Sequence, residues 1–420
     1  MSTAQFISMT RAAADSNRLA KMASFIVLAA GTVFLAISCN PAQASLFLVG
    51  GALGLTLYHA SFGFTSAWRV FISEGRGQGL RAQMALLALG VLLFFPVLNS
   101  GTLFGKEITG AVSPLGLSVL IGAFMFGIGM QFSGSCASGT LFTVGGGNAR
   151  MLVTLAFFIT GSVLATINFE WWVSLPSLPP VSLVSMFGPF IGILISLGTF
   201  AAITILTVII EKCHHGALET QPVISANKKP FRFFKGSWPI LWGAAALAVL
   251  NFITLAIAGR PWGVASAFAL WGAKLAKAIG FEPSQWGTYW QSAGNAKALA
   301  ASIFADKTSV MNFGIIAGAM FAAALAGRFA PNLHISFRSL AAAIAGGLLM
   351  GYGARIAYGC NIGAYFSGIS SGSLHGWAWI AAAFSGNMLG VRLYPLFFAE
   401  QQATPQLAAC QTQPAPVILE

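Results

Sequence analysis

Two cysteines carry the strongest chemical signal in the chain. Cys136 and Cys360 stand where long apolar stretches break into small polar residues, Ser133-Gly-Ser-Cys136-Ala-Ser-Gly-Thr140 in one place and Cys360-Asn-Ile-Gly363 in the other. A thiol is soft, polarizable and a weak S–H donor, suited to a sulfur-bearing solute. Its thiolate fraction rises beside a cation or a helix N-terminus. An isolated buried Cys more often serves as a small hydrophobe, but these two share one position of an internal repeat. Gly54, Gly127 and Gly351 lie nine residues before Gly63, Cys136 and Cys360. Gly129 and Gly353 recur in the last two copies, as do Gly139 and Gly363 three residues beyond each Cys. Cys39, Cys213 and Cys410 lie in tails or linkers, and no CxxC or metal-ligand spacing occurs. Neither a metal site nor a cofactor is expected.

Arg355 falls inside the third copy with no acid nearby in sequence. An unpaired cation at a helix centre costs about 2.5–3.5 kcal/mol on insertion scales, so Arg355 is either a contact for an anion or a side chain that snorkels to the surface. Asn361, Gln131, Gly63 and His59 complete the candidate pathway. A lone His, such as His59 or His375, is more often a satisfied interior residue than a ligand. Lys274 and Lys277 line an entrance or a solvated face, and His214-His215 is too sparse for a metal.

Composition says what must position these residues. Of 420 residues 56% are hydrophobic and 8% charged, with a mean hydropathy of +0.78; a soluble domain is about a quarter charged. The apolar runs are continuous over about 17 to 25 residues, which excludes a β-barrel. The expectation is an all-α integral membrane protein with about ten transmembrane helices, at 22–38, 45–64, 82–98, 114–132, 151–169, 186–210, 238–257, 313–327, 340–358 and 376–397. Residues 262–281 are apolar but carry Lys274 and Lys277, and read as re-entrant or interfacial. The net charge of +12 is scattered between apolar runs, a topological pattern rather than one for nucleic acid. The ten acids fall at ends or in polar breaks. Cation transporters and proton pumps usually need carboxylates at depth, so this placement argues for an anionic or neutral solute.

The organisation read from these runs is an N-terminal tail and first apolar helix (1–44), a first transmembrane half (45–210), a basic linker (211–236), a second transmembrane half (237–397) and a C-terminal tail (398–420). Cys39-Asn-Pro-Ala-Gln-Ala44 resembles a cleavage site, which makes the first helix either a removed signal or, on its flanks, a retained span. The positive-inside rule places the linker in the cytoplasm, together with Arg69, Arg76, Arg81, Arg150, Arg328, Arg338 and Arg392. The helices before Cys136 and Cys360 then run in opposite directions. Such inverted repeats put matching elements around a pseudo-two-fold axis near the bilayer midplane, where transporters keep their solute. Backbone broken at depth needs protein or a water-filled cavity to satisfy it, so re-entrant helical loops are expected beside each Cys.

The Cys136 and Cys360 segments, Ser373-Leu-His-Gly-Trp377, Phe62-Gly-Phe-Thr-Ser-Ala-Trp-Arg69 and Gly259-Arg-Pro-Trp-Gly263 resemble the YeeE/YedE family of sulfur-compound membrane transporters, over roughly 45–169 and 238–395. The resemblance implies an hourglass-like protein of the bacterial inner membrane that imports thiosulfate, handing it between thiols without lasting covalent change. Cys136 and Cys360 match two of those thiols, whereas Gly63 stands where many relatives have a third. It also implies a cytoplasmic sulfur-carrier protein as a partner. A selenium compound as solute is an alternative within the family. A membrane thiol enzyme that transfers sulfane sulfur is an alternative outside it.

Overall fold

The computed structural model describes residues 3–218, 236–329, 331, 333 and 335–402, and it is helical almost throughout. First come α1 (Thr3–Ser38), α2 (Pro41–Ala60), α3 (Phe64–Glu74) and α4 (Gln78–Ser100), then α5 (Leu117–Ser133), α6 (Ala137–Gly145), α7 (Ala149–Ile167), α8 (Phe169–Ser174) and α9 (Leu183–His215). The chain resumes with α10 (Ile240–Ala258), α11 (Ala265–Ala278), α12 (Ala293–Ala300) and α13 (Lys307–Leu325). It continues through α14 (Phe337–Ile356), a π-helix (Asn361–Phe366), α15 (Ser367–Ser370), α16 (Leu374–Leu393) and α17 (Pro395–Gln402). Short polar residues start many of these helices: Asn40, Asn148, Ser182, Asp306 and Ser336 each accept a backbone N–H of the first turn. The sheet content among described residues is two antiparallel pairs, Thr102–Leu103 with Lys106–Glu107 and Leu115–Gly116 with Ser177–Leu178.

Nine helical stretches among the described residues are long and apolar enough to cross a membrane. The tenth expected span is α16, of 20 residues, whose apolar character is diluted by His375, Ser385 and Asn387. The 262–281 stretch forms a loop and the 14-residue α11, about 21 Å long at 1.5 Å per residue and too short for a hydrocarbon core of about 30 Å. Glu211, read from the sequence as the first residue of a polar linker, is instead buried within α9. Its carboxylate accepts from Arg81 Nη1 at 2.6 Å and from the Gly77 N–H at 3.0 Å.

The repeat glycines set how the helices meet. Gly122 lies against the Gly353 carbonyl and Gly353 against that of Gly122, while Gly129 and Gly346 face one another's carbonyls in the same way. Gly122 matches Gly346 in the repeat, and Gly129 matches Gly353, so each contact occurs twice with the roles exchanged. That exchange is the mark of a two-fold axis. Because the order is reversed along the two helices, α5 and α14 are antiparallel and the axis crosses them at right angles. The same exchange extends outwards: α2 packs on α13 and α10 on α4, while α5 packs on α16 and α14 on α7.

Gly54, Gly127 and Gly351 make one contact three times over. A Cβ at each would strike a carbonyl of the facing helix and the amide nitrogen four residues on: Ile315 and Ala319, Ala383 and Asn387, Phe158 and Ser162. Only a hydrogen fits there, the small-residue packing that lets membrane helices approach closely.

Candidate functional site

All three repeat copies break their helix with one backbone pattern. The residue two before the register position is left-handed, Ser61 (φ 46), Gly134 (φ 76) and Tyr358 (φ 56). The register residue itself, Gly63, Cys136 or Cys360, is extended and caps the next helix. Left-handed backbone at a residue with a side chain costs roughly 1–2 kcal/mol, so the surrounding fold must hold Ser61 and Tyr358 in place. Cys136 follows the C-terminus of α5 and Cys360 that of the antiparallel α14, at opposite ends of the pair. The half-helices that follow, α6 and the π-helix, pack against one another. Both thiols are free and buried, and they lie within electrostatic range of each other.

Cys136 Sγ accepts the Gly139 N–H at 3.4 Å and lies 3.5 Å from Ser138 Oγ. A Cβ at Gly139 would sit 3.3 Å from that sulfur, whereas Gly363 has open space around it. Cys360 is approached by the backbone N–H groups of Ile362, Gly363 and Ala265, the last at the N-terminus of α11. Asn361 is fully buried, and neither its Oδ1 nor its Nδ2 has a hydrogen-bond partner. The third copy carries one more residue between its Cys and the following turn, marked by left-handed Gly147 and Gly372, than the second does. The π-helix absorbs it, with the Tyr365 N–H reaching back to the Cys360 carbonyl.

The other sequence candidates are distributed differently. Arg355 is half-buried at the end of α14, hydrogen-bonded to the Tyr289 hydroxyl with its guanidinium 5.4 Å from that ring. Gln131 is fully buried and committed: Oε1 accepts from Arg69 Nε at 2.7 Å and Nε2 donates to Asn387 Oδ1 at 2.6 Å. His59 stacks on Trp238 with ring centres 5.7 Å apart. Ser66 Oγ lies 2.6 Å from where a Gly63 Cβ would be, so a serine hydroxyl fills the space of the absent third side chain. Lys274 donates to the Leu299 carbonyl and Lys277 pairs with Glu282. Among the described residues no three His, Cys, Asp or Glu side chains gather as metal ligands.

Sequence reasoning gave Arg69 and Arg150 no role in the site, using them for topology and, in Arg69's case, for the family resemblance. Arg150 Nη2 donates to the Phe132 carbonyl at 2.8 Å, and His375 Nε2 meets the Ala357 carbonyl at 3.0 Å. Each is the second residue of the helix that follows the re-entrant segment, α7 or α16, and each binds the C-terminal end of the helix before the Cys break, α5 or α14. The signal available was their equal offset from the paired turns Gly147 and Gly372.

A family model described as sulphur transport matches residues 59–389, most of the chain and all of the geometry just described. The chain belongs to this family. Thiosulfate transporter TsuA of Spirochaeta thermophila is 28% identical over 354 residues, covering 80% of this chain and 94% of that protein. Probable transporter YedE of Salmonella typhimurium is 32% identical over 174 residues, and its Escherichia coli counterpart 32% over 171. These two matches span 42% and 41% of the YedE proteins' own length. The chain is thus a multi-pass membrane member of a sulfur-transport family whose named relatives are transporters.

Proposed function

We propose that this protein imports thiosulfate, or a closely similar small sulfur anion, across the bacterial inner membrane along a path that passes Cys136 and Cys360. The observation that carries the reading is Asn361: a fully buried amide beside the Cys360 thiol, with neither its donor nor its acceptor partnered. Buried polar groups in native proteins are almost always hydrogen-bonded, and a transient solute is a partner that would satisfy this one. Its Nδ2 suits a sulfonate oxygen, and the two thiols suit the terminal sulfur. These donors are neutral, so they stabilise an anion without holding it as a buried cation would. Conduction needs such moderation, with binding strong enough to admit a solute and weak enough to release it. The basic loops set the inward end, where a cytoplasmic sulfur-carrier protein is the receiver this reading implies.

Cys136→Ala and Cys360→Ala should each abolish uptake of labelled thiosulfate while the protein remains in the membrane. Normal uptake by both variants removes the thiols from the mechanism. A liposome panel of thiosulfate, sulfate, sulfite and selenite fixes the solute.

A further inference from the structure

Arg69 and Arg150 come together although 80 residues separate them in the chain. Arg69 Nη2 and Arg150 Nη1 reach to within 4.0 Å and 3.7 Å of one point, the position a Cβ would take on Gly134, two residues before Cys136. Gly134 is left-handed, so that space is kept clear of a side chain. The flat faces of the two cations are covered by aromatic rings that follow α16, Tyr394 at 4.4 Å over Arg69 and Phe398 at 5.0 Å over Arg150. Their N–H edges are only partly used. Arg69 gives Nε to Gln131 and also meets the Tyr394 hydroxyl, and Arg150 gives Nη2 to the Phe132 carbonyl, while Arg150 Nε is buried without a partner. Neither guanidinium is in an ion pair among the described residues, and each lies in the other's field.

Two like charges held side by side without a carboxylate are unfavourable until a divalent anion arrives. Planar guanidinium forks also match the oxygens of a tetrahedral oxyanion. We propose that Arg69 and Arg150 form a binding station for a divalent tetrahedral oxyanion at the cytoplasmic end of the pathway, next to the Cys136 break. In its role as a last stop before release, the station rests on the import reading above; as an anion site it does not. It reads the oxygen face of the solute, so sulfate should occupy it as well as thiosulfate, while the thiols read the sulfur.

The test is thermal unfolding of the full-length protein in detergent, titrated with sodium thiosulfate or sodium sulfate at ionic strength fixed with chloride. A ligand that binds only the folded state raises the midpoint. Wild type should be stabilised by both anions, and Arg69→Met and Arg150→Met should each weaken the apparent affinity at least tenfold. Arg69→Lys and Arg150→Lys keep the charge without the fork, should fall between, and serve if the Met variants do not fold. Unchanged anion affinity in the Met variants, or in both Lys variants where the Met variants do not fold, overturns the station; so does a wild type that neither anion stabilises. Thiosulfate uptake in proteoliposomes is measured in parallel. Arg-dependent binding without wild-type uptake defeats the import reading and leaves the station standing, whereas wild-type uptake without Arg-dependent binding does the reverse.

Discussion

At Asn361 the roles of a residue in folding and in function separate cleanly. An unpaired buried donor or acceptor costs about 1–3 kcal/mol of desolvation, and this side chain has one of each. A structural Asn would not be left so. Asn361→Leu, which removes both groups and keeps the number and branching of side-chain heavy atoms, should therefore leave the unfolding temperature unchanged or higher while lowering thiosulfate uptake at least tenfold. A fall in stability matching the fall in uptake would mark Asn361 as a packing residue. Its adjacency to Cys360 was plain in the sequence, but its lack of partners was not, because partners come from other helices. Gln131 shows the converse: it reads as a polar residue in an apolar helix, yet Arg69 and Asn387 from two other helices occupy it fully. Arg355 likewise owes its position to Tyr289, far away in sequence. Residue types and spacings were legible, and their engagement across helices was not.

The glycine contacts decide how closely the helices pack, and they allow a comparison within one molecule. Gly127→Ala and Gly351→Ala would each drive a methyl into backbone of α16 or α7. Backbone cannot rotate away, so the helices must part, and overpacking of this kind costs typically about 1–3 kcal/mol. Gly198, within α9, has nothing within 4 Å of its would-be Cβ, and Gly198→Ala should gain up to about 1 kcal/mol from the helix preference for alanine. Unfolding midpoints of the three purified variants should fall for the first two and hold or rise for the third. A uniform response would mean that the repeat glycines are not the close-approach points. The nine-residue spacing made this register readable, and the left-handed residues at 61, 134 and 358 obey it. The π-helix left no trace in the sequence, since one extra residue among Asn-Ile-Gly-Ala-Tyr-Phe alters no pattern. Nor did α16 stand out as less apolar than its peers, because His375, Ser385 and Asn387 are spread along an otherwise apolar and small-residue helix.

For the molecule as a whole, the exchanged contacts argue that the two halves form one folding unit. α2 finds its main partner in α13, α5 in α14 and α16, and α7 in α14, so the small-residue faces of the first half are covered by the second. In lipid no hydrophobic drive holds helices together, and association rests on this close van der Waals fit. A chain cut between Leu218 and Gly236 severs none of those contacts. Residues 1–218 and 236–420 expressed together as separate chains should assemble, co-purify and take up thiosulfate. Either piece alone leaves its glycine-lined faces without a partner, and should be degraded or found as aggregates in detergent. The measurement is size-exclusion chromatography of each piece and of the pair, followed by uptake in vesicles made from the pair. A single piece that runs as a sharp, folded species would show the halves to be autonomous domains, and would leave the reciprocal glycine contacts as a consequence of assembly rather than its cause.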